Sequence, residues 1–384
     1  MNNQKYRIII LGAGFSKPAG LPLANELWRE ILVRSKSLWG RASKFNDDLD
    51  KYIAYRRKSD GVELTRDTVN FEEFLGFLDI EHYLGLRGPD TWSEDGNEGQ
   101  VVVKTLIGEI LSKYMPSSNA IPELYLEFAR RLQAHDYVLT FNYDILLERA
   151  LDAVKKPYRL FPDRYESFGR NVGFVDSSKD EIVILKLHGS IDWFDKSGYL
   201  EMENGFKEQR ATILPTHPVF NSKFDWGISK VLDGPRRAND PLQNIYRVAD
   251  IEGLYRQSIL FSATPWMLSP STNKVIYASP LEEFWNGLGR SGGTNFGMAI
   301  IGYSLPSHDH YAKQVIYSLA RNYQEVNWGE YFFGFKKTPL VLIDYRTTHE
   351  SVTEFQDNYR FVDFEKSVLH MDGLNAEAID KIFK

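Results

Sequence analysis

One stretch near the start of the chain, Arg7–Pro22, constrains the fold more than any other; it reads RIIILGAGFSKPAGLP. Ile8, Ile9, Ile10 and Leu11 form a short apolar run rich in β-branched side chains, and it stops at Gly12. Such a run bounded by glycine predicts a strand buried on both faces, the kind found in parallel sheets. Gly12, Ala13, Gly14, Phe15 and Ser16 then predict a tight turn into a helix. Glycine lacks a Cβ, so the backbone there can bend sharply and lie close to a ligand. N–H groups at such a turn attract an anion, with about 0.3–1 kcal/mol of dipole interaction per contact. The turn is therefore a candidate pyrophosphate cradle, and the alternative is a tight turn with no ligand. Position 17 is Lys17, so the G-x-G-x-x-G spacing of an ordinary dinucleotide fingerprint is missing. No G-K-[ST] follows, which excludes a nucleoside-triphosphate P-loop.

Further along, the same pattern of strand, polar loop and helix returns. Leu23, Leu27, Ile31 and Leu32 recur at helical spacing over Leu21–Val33, so the turn is expected to open that helix directly. Residues 35–120 read as a helical insertion, with helices near Asp47–Arg57, Phe71–Leu86 and Val101–Tyr114 and a loop over Gly88–Gln100. Its many aromatics are assigned to its own core. Ile121–Gln133 reads as a helix, Tyr137–Thr140 as a strand, and Phe141-Asn142-Tyr143-Asp144 as the polar segment at that strand's end. Open α/β sheets present side chains at this carboxyl edge; Asp144 is equally suited to cap the next helix and Asn142 to turn the chain. Residues 157–295 are loop-rich but contain the strand Ile182–Leu187, which ends in His188-Gly189-Ser190. A histidine there suits general-base work, since its ordinary pKa lies near neutrality. Leu281–Leu288 reads as a helix, Phe296–Ile301 as a strand followed by Gly302-Tyr303-Ser304-Leu305, Tyr311–Asn322 as a helix and Leu340–Asp344 as the last strand. Ser304 lacks the G-x-S-x-G elbow of a hydrolase nucleophile. Asp344, an acid at a strand end, is placed to accept hydrogen bonds from a ribose. Residues 361–384 are expected to form a C-terminal helical segment.

Composition removes several function classes. The 384 residues carry a net charge of −6, which argues against a general electrostatic grip on nucleic acid. There is no cysteine, so neither disulfides nor a thiolate zinc site can form. His308-Asp309-His310 does not set two histidines on one helix face, and His217 and His349 add no metal-ligand spacing. No apolar run approaches the ~20 residues of a membrane span, and Ile8–Leu11 is too short for a signal-peptide core. A cytoplasmic protein with no membrane or direct nucleic-acid partner is expected.

Four ordered segments carry a resemblance. Gly12–Ser16 with Ala19-Gly20-Leu21-Pro22, Thr140–Asp144, Lys186-Leu187-His188-Gly189 and Gly302–Leu305 resemble the GAG-x-S…AGIP, TQN-x-D, KLHG and GTSL segments of the sirtuins, a family of NAD-consuming enzymes. The resemblance implies a single Rossmann-like domain over residues 1–384, a mostly parallel sheet with helices on both faces and the helical insertion within it. By the same resemblance Asn142 and Asp144 lie by the nicotinamide and its ribose, and His188 is the catalytic histidine. Gly12, Ala13, Gly14, Phe15, Ser16, Pro22, Gly302, Tyr303, Ser304 and Asp344 are then cofactor-binding. Two departures matter. Leu23-Ala24-Asn25 stands where the deacylases carry D-F-R, and the paired C-x-x-C zinc module that follows their histidine has no cysteines from which to form. The strings YDILLE, HGSIDWF and GYSLP-x-x-D resemble the bacterial sirtuin-like branch that depletes NAD in anti-phage defence. That likeness implies an NAD+ hydrolase yielding nicotinamide and ADP-ribose without a metal, with cyclic ADP-ribose as the alternative product. A catalytically silent NAD or ADP-ribose sensor and a protein deacylase are the competing readings. It also implies a homo-oligomer and a separate partner, a HerA-type hexameric ATPase or an Argonaute-like protein.

Overall fold

A computed structural model describes residues 6–36, 42–86, 96–161, 164–169, 173–176, 178–210, 213, 216–236, 240–257, 264–269, 295–306, 309–326 and 336–384. The expected helix at 281–288, and His308, lie outside these residues. Twelve strands are described: β1 Arg7–Leu11, β2 Tyr137–Thr140, β3 Tyr158–Arg159, β4 Tyr165–Phe168, β5 Gly173–Val175, β6 Ile182–Lys186, β7 Trp193–Asp195, β8 Ile228–Lys230, β9 Ile245–Val248, β10 Gly297–Ile301, β11 Leu340–Ile343 and β12 Ser367–His370. The described helices are α1 Ala13–Ser16, α2 Ala24–Ser35, α3 Ala42–Asp60, α4 Phe71–Tyr83, α5 Glu98–Tyr114, α6 Glu123–Arg131, α7 Leu146–Ala153, α8 Ser197–Glu208, α9 Ile251–Arg256, α10 His310–Glu325, α11 His349–Asn358 and α12 Ala376–Ile382.

Seven strands form one parallel sheet in the order β12-β11-β10-β1-β2-β6-β3. Every residue of β1, β6, β10 and β11 is buried, as expected of strands covered on both faces. The chain winds outward from β1 to β2 and the edge strand β3, comes back to lay β6 between those two, then crosses to the other side of β1 with β10, β11 and β12. The direction of winding reverses between β1 and β10, and open α/β sheets bind ligands at such a switch point. The α/β, doubly wound architecture expected from the sequence is thus the one present.

Between β1 and β2, helices α2 to α5 pack around an aromatic cluster that is continuous with the core of the sheet. Trp28 lies 6.0–6.4 Å from Phe45, Phe71 and Phe74, and its indole N–H donates to Arg66 O. After β6, strands β7, β9 and β8 make a separate antiparallel sheet. There Lys196 Nζ sits 5.4–6.0 Å from the rings of Tyr246, Phe220 and Tyr199, and His217 stacks on Phe220.

Two elements differ from the sequence reading. The tail is not wholly helical: Ser367–His370 joins the main sheet as its edge strand β12, and only Ala376–Ile382 forms a helix after it. Edge pairing to β11 overrides a pattern too short to show period two. The loop-rich segment after α7 also contains the short strands β3, β4 and β5. No helix among the described residues is long and apolar enough to cross a membrane.

Candidate functional site

At the carboxyl ends of β1 and β10, two glycine turns press main chain against main chain. Gly12 N donates to Ile301 O and Gly14 N to Gly302 O, both at 2.9 Å. A Cβ on Gly12 would stand 2.5 Å from Gly302 O, and one on Gly302 would stand 2.3 Å from Phe15 N. Gly302 also has a φ of +61°, which L side chains rarely adopt. The glycines are therefore required by turn-on-turn contact, whatever binds above them. The N–H groups of Gly12, Gly14 and Phe15 are all donated within the protein, so the expected anion cradle is largely spent on the fold.

The expected direct run from this turn into Leu21–Val33 is broken. α1 lasts one turn, Lys17–Ala19 tightens to a 3-10 turn with Pro18 near its start, and left-handed Gly20 redirects the chain before α2 begins at Ala24. Phe15 is corrected as well. Its side chain is buried in the core between Tyr125 and Phe128, at 5.3 and 5.2 Å, and does not face the cavity.

The next two strand ends carry polar side chains. At the end of β2, Asn142 Nδ2 donates to Gly12 O at 3.0 Å and to Ser16 Oγ at 3.3 Å. A carbonyl acceptor fixes which end of the amide faces it, so Oδ1 is presented away from Gly12. Ser16 Oγ donates to Asp144 Oδ2 at 2.8 Å, while Asp144 Oδ1 accepts from Leu146 N at the start of α7. Asp144 thus both caps the helix and ties it to Ser16. Beneath this loop, fully buried Lys186 donates to Asp144 O at 2.5 Å and pairs with Glu148 at 2.8 Å. Burial raises the Glu148 carboxyl above its usual range, and Lys186 opposes that shift.

His188 follows the end of β6 and is 3 % exposed. The next residue, Gly189, has a φ of +76°, and a Cβ there would stand 2.3 Å from Trp266 O. The imidazole meets Phe141 edge-on at 5.0 Å, and Phe141 stacks on Tyr303 at 4.4 Å. Its Nε2 lies 3.6 Å from Asp309 Oδ2. Across the sheet, Asp344 Oδ2 accepts from Arg346 Nε and Nη2 at 3.1 and 2.9 Å, and Oδ1 accepts from Tyr345 N.

These strand ends open onto one cavity of about 790 Å³. Of the residues expected from the sequence, Ala13, Gly14, Ser16, Pro22, Asn142, Asp144, His188, Gly302, Tyr303, Ser304 and Asp344 line it. Gly12 reaches it through its carbonyl bond to Asn142, and Phe15 does not line it. Sequence reading missed Phe71 and Glu72 of α4, Asp309 and Arg346, all of which do. Asp309 stood within the quoted GYSLP-x-x-D string without a role, and Glu72 had no signal linking it to residues so far along the chain. Among the described residues, no group of three or more histidines and acids is spaced to hold a metal.

The sequence model of the SIR2-like domain matches residues 136–216, the stretch holding Asn142, Asp144 and His188. No curated protein matches the sequence. Similar solved structures include Sir2Tm bound to a propionylated peptide, at 11% identity over 98% of this chain and 91% of that one, with a TM-score of 0.33. A structure on the mechanism and regulation of Sir2 enzymes is 13% identical over 99% and 91% of the two chains, with a TM-score of 0.37. Sir2 in complex with the inhibitor EX-527, 2'-O-acetyl-ADP-ribose and a deacetylated p53 peptide is 12% identical over 98% and 90%, with a TM-score of 0.34. These likenesses are too remote to position any residue of the site.

Proposed function

We propose that this chain hydrolyses the nicotinamide–ribose bond of NAD+, releasing nicotinamide, ADP-ribose and a proton. One observation carries the reading: Ser16, Asn142, Asp144 and His188 converge from three strand ends on a single cavity at the sheet's switch point, inside and beside the SIR2-like stretch.

The bond breaks with cationic character on the ribose carbon, and its electron pair leaves with nicotinamide. Asn142, its nitrogen locked by Gly12 and Ser16, offers Oδ1 to a water or a ribose hydroxyl. The water's oxygen bonds to the ribose carbon, and the proton it sheds passes to His188 and then to solvent. Asp144 holds Ser16 and through it the Asn142 amide. Ala13, Gly14, Gly302, Tyr303 and Ser304 form the wall along the diphosphate, and Asp344 with Arg346 stands at the adenosine end.

We also infer the wider role from the motif resemblance: NAD depletion in bacterial anti-phage defence, as a homo-oligomer working with a separate ATPase or Argonaute-like partner. Incubating the purified chain with NAD+, with and without an acyl-peptide and with and without EDTA, tests the chemistry. Nicotinamide and ADP-ribose released without peptide, and in EDTA, are expected. Cyclic product means a cyclase, peptide-dependent release means a deacylase, and no turnover under any condition, partner included, means a sensor.

A further inference from the structure

We propose that Lys17 binds the diphosphate of the substrate, exchanging its partner Glu26 for a phosphate when the ligand enters. This deepens the hydrolase reading and rests on it for the identity of the ligand. A diphosphate brings negative charge into a cavity already lined by Glu72, Asp144, Asp309, Asp344 and Asp372. Among the described lining residues, the permanent cations are Lys17 and Arg346. Arg346 grips the Asp344 carboxylate through Nε and Nη2, so its charge is compensated inside the cavity. The N–H groups of Gly12, Gly14 and Phe15 are donated to main-chain carbonyls and leave little for an anion. Lys17 differs from both, because its partner stands on α2, outside the cavity lining.

Lys17 Nζ donates to Glu26 Oε1 and Oε2 at 2.7 and 2.6 Å. The two side chains are 43 % and 46 % exposed. An ion pair so open to water is held weakly, since solvent screens it and two long side chains must be ordered to make it. The backbone beneath is fixed: Lys17 begins the 3-10 turn after Ser16, and its carbonyl accepts from Gly20 N at 2.9 Å. A flexible four-carbon stem on a fixed Cα lets the ammonium swing from Glu26 to the cavity without moving the fold. Glu26 is not abandoned, because its Oε2 keeps the Leu23 N–H at 2.8 Å and the Arg29 charge still acts on it. Ser16, the residue before Lys17, belongs to the row with Asn142 and Asp144 that meets the nicotinamide ribose. The diphosphate hangs from that same ribose, so a cation one residue from Ser16 lies where the charge falls. A charge-assisted bond to phosphate there, with less water around it, outweighs the exposed pair.

ADP-ribose carries the diphosphate and needs no chemistry to bind, and adenosine lacks the diphosphate; calorimetry on the full chain compares the two. Lys17→Met keeps the apolar stem and removes the charge, and a parental urea midpoint is expected from so exposed a site. Its Kd for ADP-ribose is expected to rise about tenfold, the loss of one charge-assisted hydrogen bond, with adenosine binding unchanged. High salt should narrow the gap between Lys17→Met and the parent. The KM for NAD+ should rise with kcat near the parent's. Glu26→Gln still offers an oxygen to Leu23 N but gives up its charge, so Lys17 is released and ADP-ribose should bind about threefold tighter. Equal ADP-ribose affinity in Lys17→Met and the parent overturns the proposal. So does an equal loss of ADP-ribose and adenosine binding, which would mark a change of shape rather than a lost contact. Glu26→Gln binding ADP-ribose no tighter than the parent overturns the exchange of partners. A parent that binds ADP-ribose but never cleaves NAD+ defeats the hydrolase reading and leaves the calorimetry to decide Lys17. A parent that cleaves NAD+, with both variants binding ADP-ribose as it does, defeats Lys17 alone.

Discussion

On the β1–β10 side the cavity is bounded by main chain; on the β2–β6 side it is bounded by side chains. The first wall is two turns in contact, with glycines because no Cβ fits between them. The second is a hydrogen-bonded row in which Asn142 and Asp144 meet Ser16 from the turn after β1, backed by the Lys186–Glu148 pair and flanked by His188, with Asp309 reaching it from the segment after β10. One wall therefore bears mainly on stability and the other mainly on chemistry, and substitutions should separate the two.

The largest effect is expected at Gly302→Ala. The added methyl meets Phe15 N at 2.3 Å in a backbone conformation with φ of +61°, so both overpacking and strain act. Each costs about 1–3 kcal/mol, enough together to threaten the fold. Urea denaturation should show a sharply lowered midpoint or no folded protein. A parental midpoint would show that the two turns do not bear on each other.

His188→Ala and Asn142→Ala should do the reverse. NAD+ cleavage should fall by about 10²–10⁴-fold for His188→Ala, the usual contribution of a general base. Asn142→Ala should lose activity comparably and about 1 kcal/mol of stability, since it drops two hydrogen bonds. Either folded variant cleaving NAD+ at the parental rate removes that residue from the mechanism. Asp344→Ala lies beyond the glycine turns, at the end of β11 on the far side of the cavity, and should be milder. It should raise the KM for NAD+ about tenfold with kcat little changed, the signature of binding felt equally in ground and transition states. A fall in kcat at constant KM would place Asp344 in the chemistry instead.

Much of this contrast was legible in sequence, though unevenly. The five inner strands of the main sheet, β11, β10, β1, β2 and β6, announced themselves because buried parallel strands are continuous apolar runs, as in Ile8–Leu11 and Ile182–Lys186, while the edge strands β3 and β12 did not. The residues at their carboxyl ends followed, since position after a strand is a local property. What stayed hidden was set by tertiary contact. Nothing in Gly12 or Gly302 says that each exists to admit the other. Phe15 sits in a ligand-like turn but turns its ring into the core. Glu72 comes to the cavity only because α4 folds over it. Asp309 stood in its string without a role, and its approach to His188 needs β6 and β10 to lie in one sheet.

The smallest expected effect lies outside both walls, in the aromatic cluster after β7, and concerns stability alone. His217 Nδ1 accepts the N–H groups of Val219 and Phe220 at 3.1 and 3.2 Å, so protonating that nitrogen would break both bonds. Burial lowers its pKa from the ordinary 6.5 to about 4. Between those values the unfolded chain binds a proton that the folded chain refuses, so stability rises with pH there. The contribution is fully present above pH 6.5, declines as pH falls toward 4 and changes no further below that. His217→Asn sets an amide oxygen as acceptor near the place of Nδ1 and removes the titration. The urea midpoint of the parent should fall between pH 7 and pH 5 by more than that of the variant, with NAD+ cleavage at pH 7 the same in both. Equal pH slopes would show that His217 does not resist its proton. Lost cleavage would show that this cluster supports the side-chain wall, and the division between stability and chemistry would have to be redrawn to include it.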